Sequence, residues 1–235
     1  MHSARSMLRL SRDISSAAGG EHDVGELRLG AINSALIGLL PDLLSSLRRK
    51  RPGIDLYIVP GQSAGLYNMV QKGDLDGAIL VEPHFKIPKM LEWLPIREEP
   101  LIVLAPATMS ESDPRVILKN EPFIRYDRNH WGGRLADHYL RKMRIVPREQ
   151  YELDSLEAIS VLVDRGLGVS LVPDWPPPWP QGIRVRKIPV VGAPVRRIGL
   201  VWPRMSPRLR LLQSIQAEMK GLFALPARSK GARRR

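Results

Sequence analysis

The chain contains no cysteine. Disulfide frameworks, thiolate nucleophiles and cysteine-ligated metals are therefore excluded, which fits a cytosolic chain without excluding a bacterial periplasm. No stretch approaches the ~18 apolar residues of a membrane span. The opening MHSARSMLRLSRDISSAAGG lacks an apolar run long enough for a signal peptide. The expectation is a soluble cytoplasmic protein with no membrane partner. Acidic residues are in deficit, 24 against 36 Lys and Arg, and the resulting charge of +12 suggests phosphate-binding surface. The distribution argues against it. Residues 204–235 hold nine Lys or Arg against Glu218 alone, and residues 1–24 are balanced, so residues 25–203 carry a surplus of only four. Attraction to DNA through such a tail is expected to be weak, sequence-indifferent and steeply salt-dependent.

At 235 residues and 43% hydrophobic, the chain can bury the cores of two small lobes. Met7, Leu10, Ile14 and Ala17 recur at helical spacing before Gly19-Gly20. They predict a short helix that is marginal in water without a partner surface, followed by a polar linker. From Leu27 onward short apolar runs alternate with helical periods, the pattern of an α/β domain with a largely parallel sheet. LRLGAI reads as the first strand, Leu36, Leu40, Leu43 and Leu47 share one helix face, and DLYIVP follows as a strand. Leu66, Met69 and Val70 begin another helix; DGAILV and PLIVLAP are continuous apolar runs, as in strands covered on both faces.

After Pro106 come a polar loop, the strand PFIRY, a helix carrying Leu135, Tyr139 and Met143, and a strand near Tyr151. Leu156, Ile159 and Val163 mark a further helix, stopped by Gly166-Leu167-Gly168 before the strand VSLVP. RIGLVWP is a late strand, and Leu212, Ile215, Met219 and Leu222 give a C-terminal amphipathic helix. PDWPPPWPQG could be a polyproline recognition site, but reads more simply as a rigid surface connection.

Gly61-Gln62-Ser63-Ala64-Gly65 satisfies the GxSxG nucleophile-elbow pattern, and Asp127 and His138 follow in triad order. A hydrolase also needs an oxyanion loop and a sheet core ahead of the elbow, whereas only one strand unit precedes it here. The simpler reading is a turn at Gly61 and a helix cap at Ser63. His84, His130 and His138 lack metal-ligand spacing, and Gly166 and Gly168 lack the third glycine of a dinucleotide fingerprint. No cofactor is expected. Polar residues do collect where strands run into helices: Asn33 and Ser34, Gln62 and Ser63, Asp154 and Ser155. In open α/β sheets ligands lie beyond the carboxyl ends of strands, facing helix N-termini with free N–H groups. Converging ends of this kind suit a small carboxylate, though each residue taken alone is equally an N-cap.

GELRLG at 25–30, LLPDLL at 39–44, RPGIDL at 51–56, GDLDGAI at 73–79, REEPLIVLAP at 97–106 and DRGLGVSLVP at 164–173 occur in an informative order. In that order and spacing the chain resembles, over about residues 25 to 225, the effector-binding (substrate-binding) domain of LysR-type transcriptional regulators. The resemblance implies the type 2 periplasmic-binding-protein fold, two Rossmann-like α/β lobes joined by two crossover segments near residues 101–106 and 194–200. Lobe I would comprise 25–105 plus 197–225 and lobe II 106–196, with 1–24 the remnant of a linker helix and linker, and 226–235 a disordered basic tail.

It further implies an effector cleft at Ser34, Gln62, Asp154 and Ser155, with Val81, Glu82, Arg125, Tyr126 and Arg128 at its mouth. Arg128 is the residue expected to meet an anionic ligand group by bidentate hydrogen bonding; Trp131 either stacks on the ligand or belongs to a lobe core. The implied protein is a binder and not an enzyme, and it takes a small carboxylate effector. It forms a homodimer or higher oligomer, with Ile37 and Leu44 near the edges of one candidate surface. DNA would be reached only through a winged helix-turn-helix ahead of these residues, and RNA polymerase only in the full-length protein. The alternatives are a transporter's solute-binding protein, which shares the fold, and a serine hydrolase using Ser63.

Overall fold

The computed structural model of the protein describes residues 24–223; the expected linker helix and basic tail lie outside them. The first half of the described chain is β1 (Gly25–Ala31), α1 (Asn33–Gly38), α2 (Leu40–Lys50), β2 (Ile54–Pro60), α3 (Ser63–Gln71) and β3 (Gly77–Val81). β1 pairs in parallel with β2 and β3, and every residue of β3 is buried, as its unbroken apolar run requires. The helix expected around Leu36 is broken at Leu39. Pro41 has no N–H to donate and its ring crowds the preceding turn, so α1 ends and α2 starts afresh.

Two strands pass between the lobes. β4 (Leu91–Pro106) and β9 (Val195–Pro203) pair antiparallel from Leu91↔Pro203 to Pro100↔Val195, with a register shift between Pro95 and Arg97. β9 also pairs antiparallel with β3. From Leu101 onward β4 turns to different neighbours, β7 (Ser170–Pro173) and β8 (Val185–Pro189), both antiparallel. Among the described residues parallel pairing is found between β1 and its neighbours and, in the second lobe, in one strand pair and an isolated bridge from Phe123 to Val169. The largely parallel sheet expected above is mixed, because one strand leaves lobe I as another returns beside it.

The second lobe is completed by α4 (Pro114–Asn120), β5 (Pro122–Tyr126), α5 (Trp131–Lys142), β6 (Arg148–Leu153) and α6 (Leu156–Asp164). β5 and β6 pair in parallel, and the Ile124 N–H donates to the Val169 carbonyl at 2.8 Å, tying β5 to the start of β7. α4 replaces part of the expected polar loop. Asp113 caps it, accepting from the Arg115 N–H at 2.7 Å, and Pro114 occupies the first turn where no N–H is needed. The proline-rich segment is a packed connection: Trp175 is buried, its ring stacks on Trp179 at 4.0 Å, and Lys187 Nζ sits 4.2 Å from the Trp179 centroid.

α7 (Leu209–Leu222) closes lobe I, where Glu218 accepts from Ser46 Oγ at 2.8 Å and Lys50 Nζ at 2.9 Å on α2. Hydrogen bonds from these donors hold the Glu218 carboxyl below its ordinary value. Leu29, Leu43, Leu66, Ile79 and Ile215 form the lobe I core, while lobe II buries Phe123 and Leu140 on one face of its sheet and Ile124 and Ile159 on the other. Each such side chain contributes about 1.5–3 kcal/mol on burial. Among the described residues no helix is long and apolar enough to cross a membrane.

Candidate functional site

A cavity of about 200 Å³ lies between the lobes, at the ends of the strands that lead into α1, α3, α5 and α6. From lobe I it is lined by Ile32, Asn33 and Ser34, by Gly61 to Ala64, and by Val81. From lobe II come Tyr126, Asn129 to Gly132, and Asp154 to Glu157; Arg196 of β9 also lines it. Ser34 is 7% exposed and its Oγ accepts from Arg196 Nη2 at 3.4 Å. Ser63 Oγ accepts the Val81 N–H at 3.2 Å, which anchors the start of α3 to the end of β3. Asn33 Nδ2 reaches across the cleft to Glu157 Oε2 at 3.0 Å, and Ser155 Oγ both donates to that oxygen and caps α6 through the Ala158 N–H.

Arg196 is 1% exposed and donates through Nε to Glu99 Oε2 at 2.7 Å, with Nη2 on the same oxygen. Glu99 stands on β4, so this buried pair joins the two strands that pass between the lobes. Burial raises the Glu99 carboxyl above its ordinary value, although Arg196 pulls it down. Burial likewise raises the Tyr126 phenol, although Arg196 pulls it down. Gly132 and Gly133 let the start of α5 come this close: a Cβ on Gly132 would lie 2.9 Å from the Tyr126 ring and 3.3 Å from Arg196 Cδ.

The segment after β3 straps the lobes together. Phe85 packs edge-on against Tyr67 at 5.3 Å and against Trp131 at 5.7 Å, while His84 lies 5.9 Å from Trp131 and 3.3 Å from Arg134 Nη1. Trp131, on a lobe II helix, therefore belongs to the lobe I core as well as to the cavity wall. A double-mutant cycle of Phe85→Ala and Trp131→Ala, measured by urea unfolding, is expected to give a coupling of about 0.5–1.5 kcal/mol, typical of an aromatic pair. A coupling near zero would mean that the two rings are neighbours without binding the lobes.

Asn33, Ser34, Gln62, Ser63, Val81, Tyr126, Asp154 and Ser155 of the residues singled out above are brought together at this cavity. Three are not. Glu82 bonds to Arg197 Nη1 at 3.2 Å, outside the lining. Arg125 is 5% exposed and occupied by Asp137, at 3.0 Å, and Glu149. Arg128, expected to meet the ligand, points instead to β6, with Nε 3.1 Å from Glu152 and Nη2 2.7 Å from Glu149. Hydrogen bonding from Arg128 holds the Glu152 carboxyl low, and from Arg125 the Glu149 carboxyl. Arg128 lies off the cavity lining because β5 and β6 pair in parallel and put these carboxylates beside it.

Arg196 and Glu157 carried no local signal, since their partners Glu99 and Asn33 are 97 and 124 residues away. The elbow reading of Ser63 finds no support in the geometry: His138 is exposed on α5 and does not line the cavity. Among the described residues Ser63 bonds to no histidine or carboxylate side chain.

Two α/β lobes, two strands passing between them and a polar cleft at the strand ends define a type 2 periplasmic-binding-protein-like fold. The chain belongs to the LysR substrate binding domain family, which it matches over residues 20–223. It is similar to the HTH-type transcriptional regulator YybE of Bacillus subtilis, 26% identical over 188 residues that cover 77% of this chain and 62% of that protein. The chain spans about 60% of the length of such curated relatives. Among solved structures it resembles an OxyR mutant of Corynebacterium glutamicum (TM-score 0.73, 23% identity, 94% of this chain and 70% of that one). It also resembles the effector binding domain of QuiR in complex with shikimate (TM-score 0.69, 17% identity, 82% of this chain and 95% of that one).

Proposed function

We propose that this chain is the effector-binding and oligomerisation part of a cytoplasmic LysR-type transcriptional regulator, and that its effector is a small metabolite held in the interlobe cavity. The observation that carries the reading is the cavity itself, lined from both lobes by polar side chains at strand-to-helix junctions. A ligand there touches both lobes at once. It shifts the population toward one interlobe geometry and thereby alters how subunits present DNA-binding domains. In this reading the chain binds and does not catalyse, it pairs with a second copy, and DNA and RNA polymerase are met by the longer protein. The shikimate held by QuiR is a reason to include small hydroxy acids among the candidates.

Thermal unfolding with a library of small polar metabolites tests this. A true effector at a hundredfold over its Kd is expected to stabilise the chain by about 2.7 kcal/mol. Ser34→Ala is expected to weaken its binding roughly three- to tenfold, the value of one hydrogen bond. A ligand that binds Ser34→Ala, Ser63→Ala and the parent equally would place binding elsewhere.

A further inference from the structure

We infer that the effector is a small zwitterion of the α-amino-acid type, its ammonium group facing Glu157 and Asp154 and its carboxylate facing the starts of α3 and α5. The inference rests on the cleft being the effector site and adds the charge pattern of the ligand. Asp154, Glu157, Arg196 and the imidazole of His130, whose Nε2 lies 3.7 Å from Asp127 Oδ2, are the acidic and basic side chains on the lining. Arg196 is already matched by Glu99, with Nε at 2.7 Å. Arg128, the other cation expected here, is taken by Glu149 and Glu152. A simple monoanion would therefore enter a cavity holding two carboxylates and no unmatched guanidinium. Repulsion between like charges is strong in a partly buried site.

The two sides of the cavity differ in what they offer. α6 starts with a side-chain cap, Ser155 on the Ala158 N–H, and brings Asp154 and Glu157 with it. Glu157 Oε2 is held by the neutral donors Asn33 and Ser155, and no hydrogen bond to its Oε1 falls among the described residues. Among the described residues no cation is paired with that carboxylate, which lines the cavity at the seam between the lobes. α3 and α5 start without side-chain caps, so their first N–H groups are open to an acceptor at the positive ends of both helices.

The hydroxyls agree with this polarity. Ser34 and Ser63 are 7% and 8% exposed, each Oγ accepts one hydrogen bond, and neither hydroxyl proton meets an acceptor among the described residues. Buried donors without acceptors favour an anionic oxygen between them. Ile32, Val81, Leu156 and Trp131 supply apolar wall. The cavity volume is about 200 Å³. It suits an amino acid with a side chain of a few carbons.

Calorimetric titration of the intact chain with matched probes tests the charge pattern. Each proteinogenic amino acid is compared with its des-amino acid and its decarboxylated amine, as with valine, 3-methylbutanoate and isobutylamine. At least one amino acid is expected to bind saturably, with both truncated forms at least tenfold weaker. Glu157→Gln is expected to lower amino-acid affinity at least tenfold while leaving the des-amino acid little changed, and Asp154→Asn, on an exposed residue, to act in the same direction. Des-amino acids or neutral polyols that bind as well as amino acids, and lose affinity in Ser34→Ala, would overturn the zwitterion and leave the cleft reading standing. Absence of any Ser34-dependent binding across amino acids, carboxylates and polyols would overturn the cleft reading with it.

Discussion

Arg196→Met is expected to lower the unfolding free energy by about 3–5 kcal/mol, because it leaves the buried Glu99 carboxylate with only the half-exposed Arg97, its Nε 3.6 Å from Oε1, for a partner. Glu99 is 0% exposed and its carboxyl is already raised by burial even with Arg196 beside it. Without the guanidinium that carboxyl rises further, so the native state takes up a proton at a pH where the unfolded chain has released it. Stability of the variant should therefore fall as pH rises above the ordinary carboxyl range and recover as pH drops toward roughly 4. Glu99→Leu alone should cost a similar amount by stranding the arginine. The double variant Arg196→Met with Glu99→Leu should regain most of the loss, since two apolar side chains need no desolvation of charge. Urea midpoints at constant slope give all three values. A loss below about 1 kcal/mol for Arg196→Met would mean that water reaches the pair and that the cleft floor is not sealed.

The same pair shows why the site was only half legible in the sequence. Asn33, Ser34, Gln62, Ser63, Asp154 and Ser155 were readable because a strand running into a helix is a local event, written in an apolar run followed by a polar residue and a new period. Their convergence follows once the α/β order is recognised. Arg196 sits in VRRIGLVWP, where nothing distinguishes one arginine from the next until β4 brings Glu99 alongside. Arg128 lies off the lining for the complementary reason. A strand near Tyr151 could be read, but not the parallel register that sets Arg125 opposite Glu152 and puts that carboxylate within reach of Arg128.

Secondary structure divides along the same line. β3 and β7 were plain as buried apolar runs, and the glycines at 166 and 168 correctly ended α6. The first part of β4 was not, because EWLPIREE mixes charges and proline where a strand pairs only with β9. β8 was missed too, its VRKIP having a single buried residue, Ile188. α4 had a usable signal in Asp113-Pro114, a cap followed by a proline in the first turn.

Gly133→Ala is expected to be among the most damaging single-methyl additions available in the molecule. A Cβ at this position would lie 1.9 Å from the Asp127 carbonyl oxygen, 2.6 Å from its carbon and 2.8 Å from the Tyr126 oxygen. All three are backbone atoms, so no rotamer change can relieve the clash. Either α5 moves off the end of β5 or the Asp127 turn opens, and each displaces Trp131 and Gly132 from the cavity wall. Overpacking by a methyl group ordinarily costs about 1–3 kcal/mol, and a clash with backbone belongs at or above the top of that range. Gly65→Ala is the matched control, the same change in α3, where a Cβ meets nothing within 4 Å. It should stabilise the chain by up to about 1 kcal/mol through helix propensity alone. Opposite signs for one substitution in two helices would separate close approach from propensity. Equal effects in urea unfolding would show that the start of α5 does not need to lie against the Asp127 backbone, and the cavity wall would have to be redrawn.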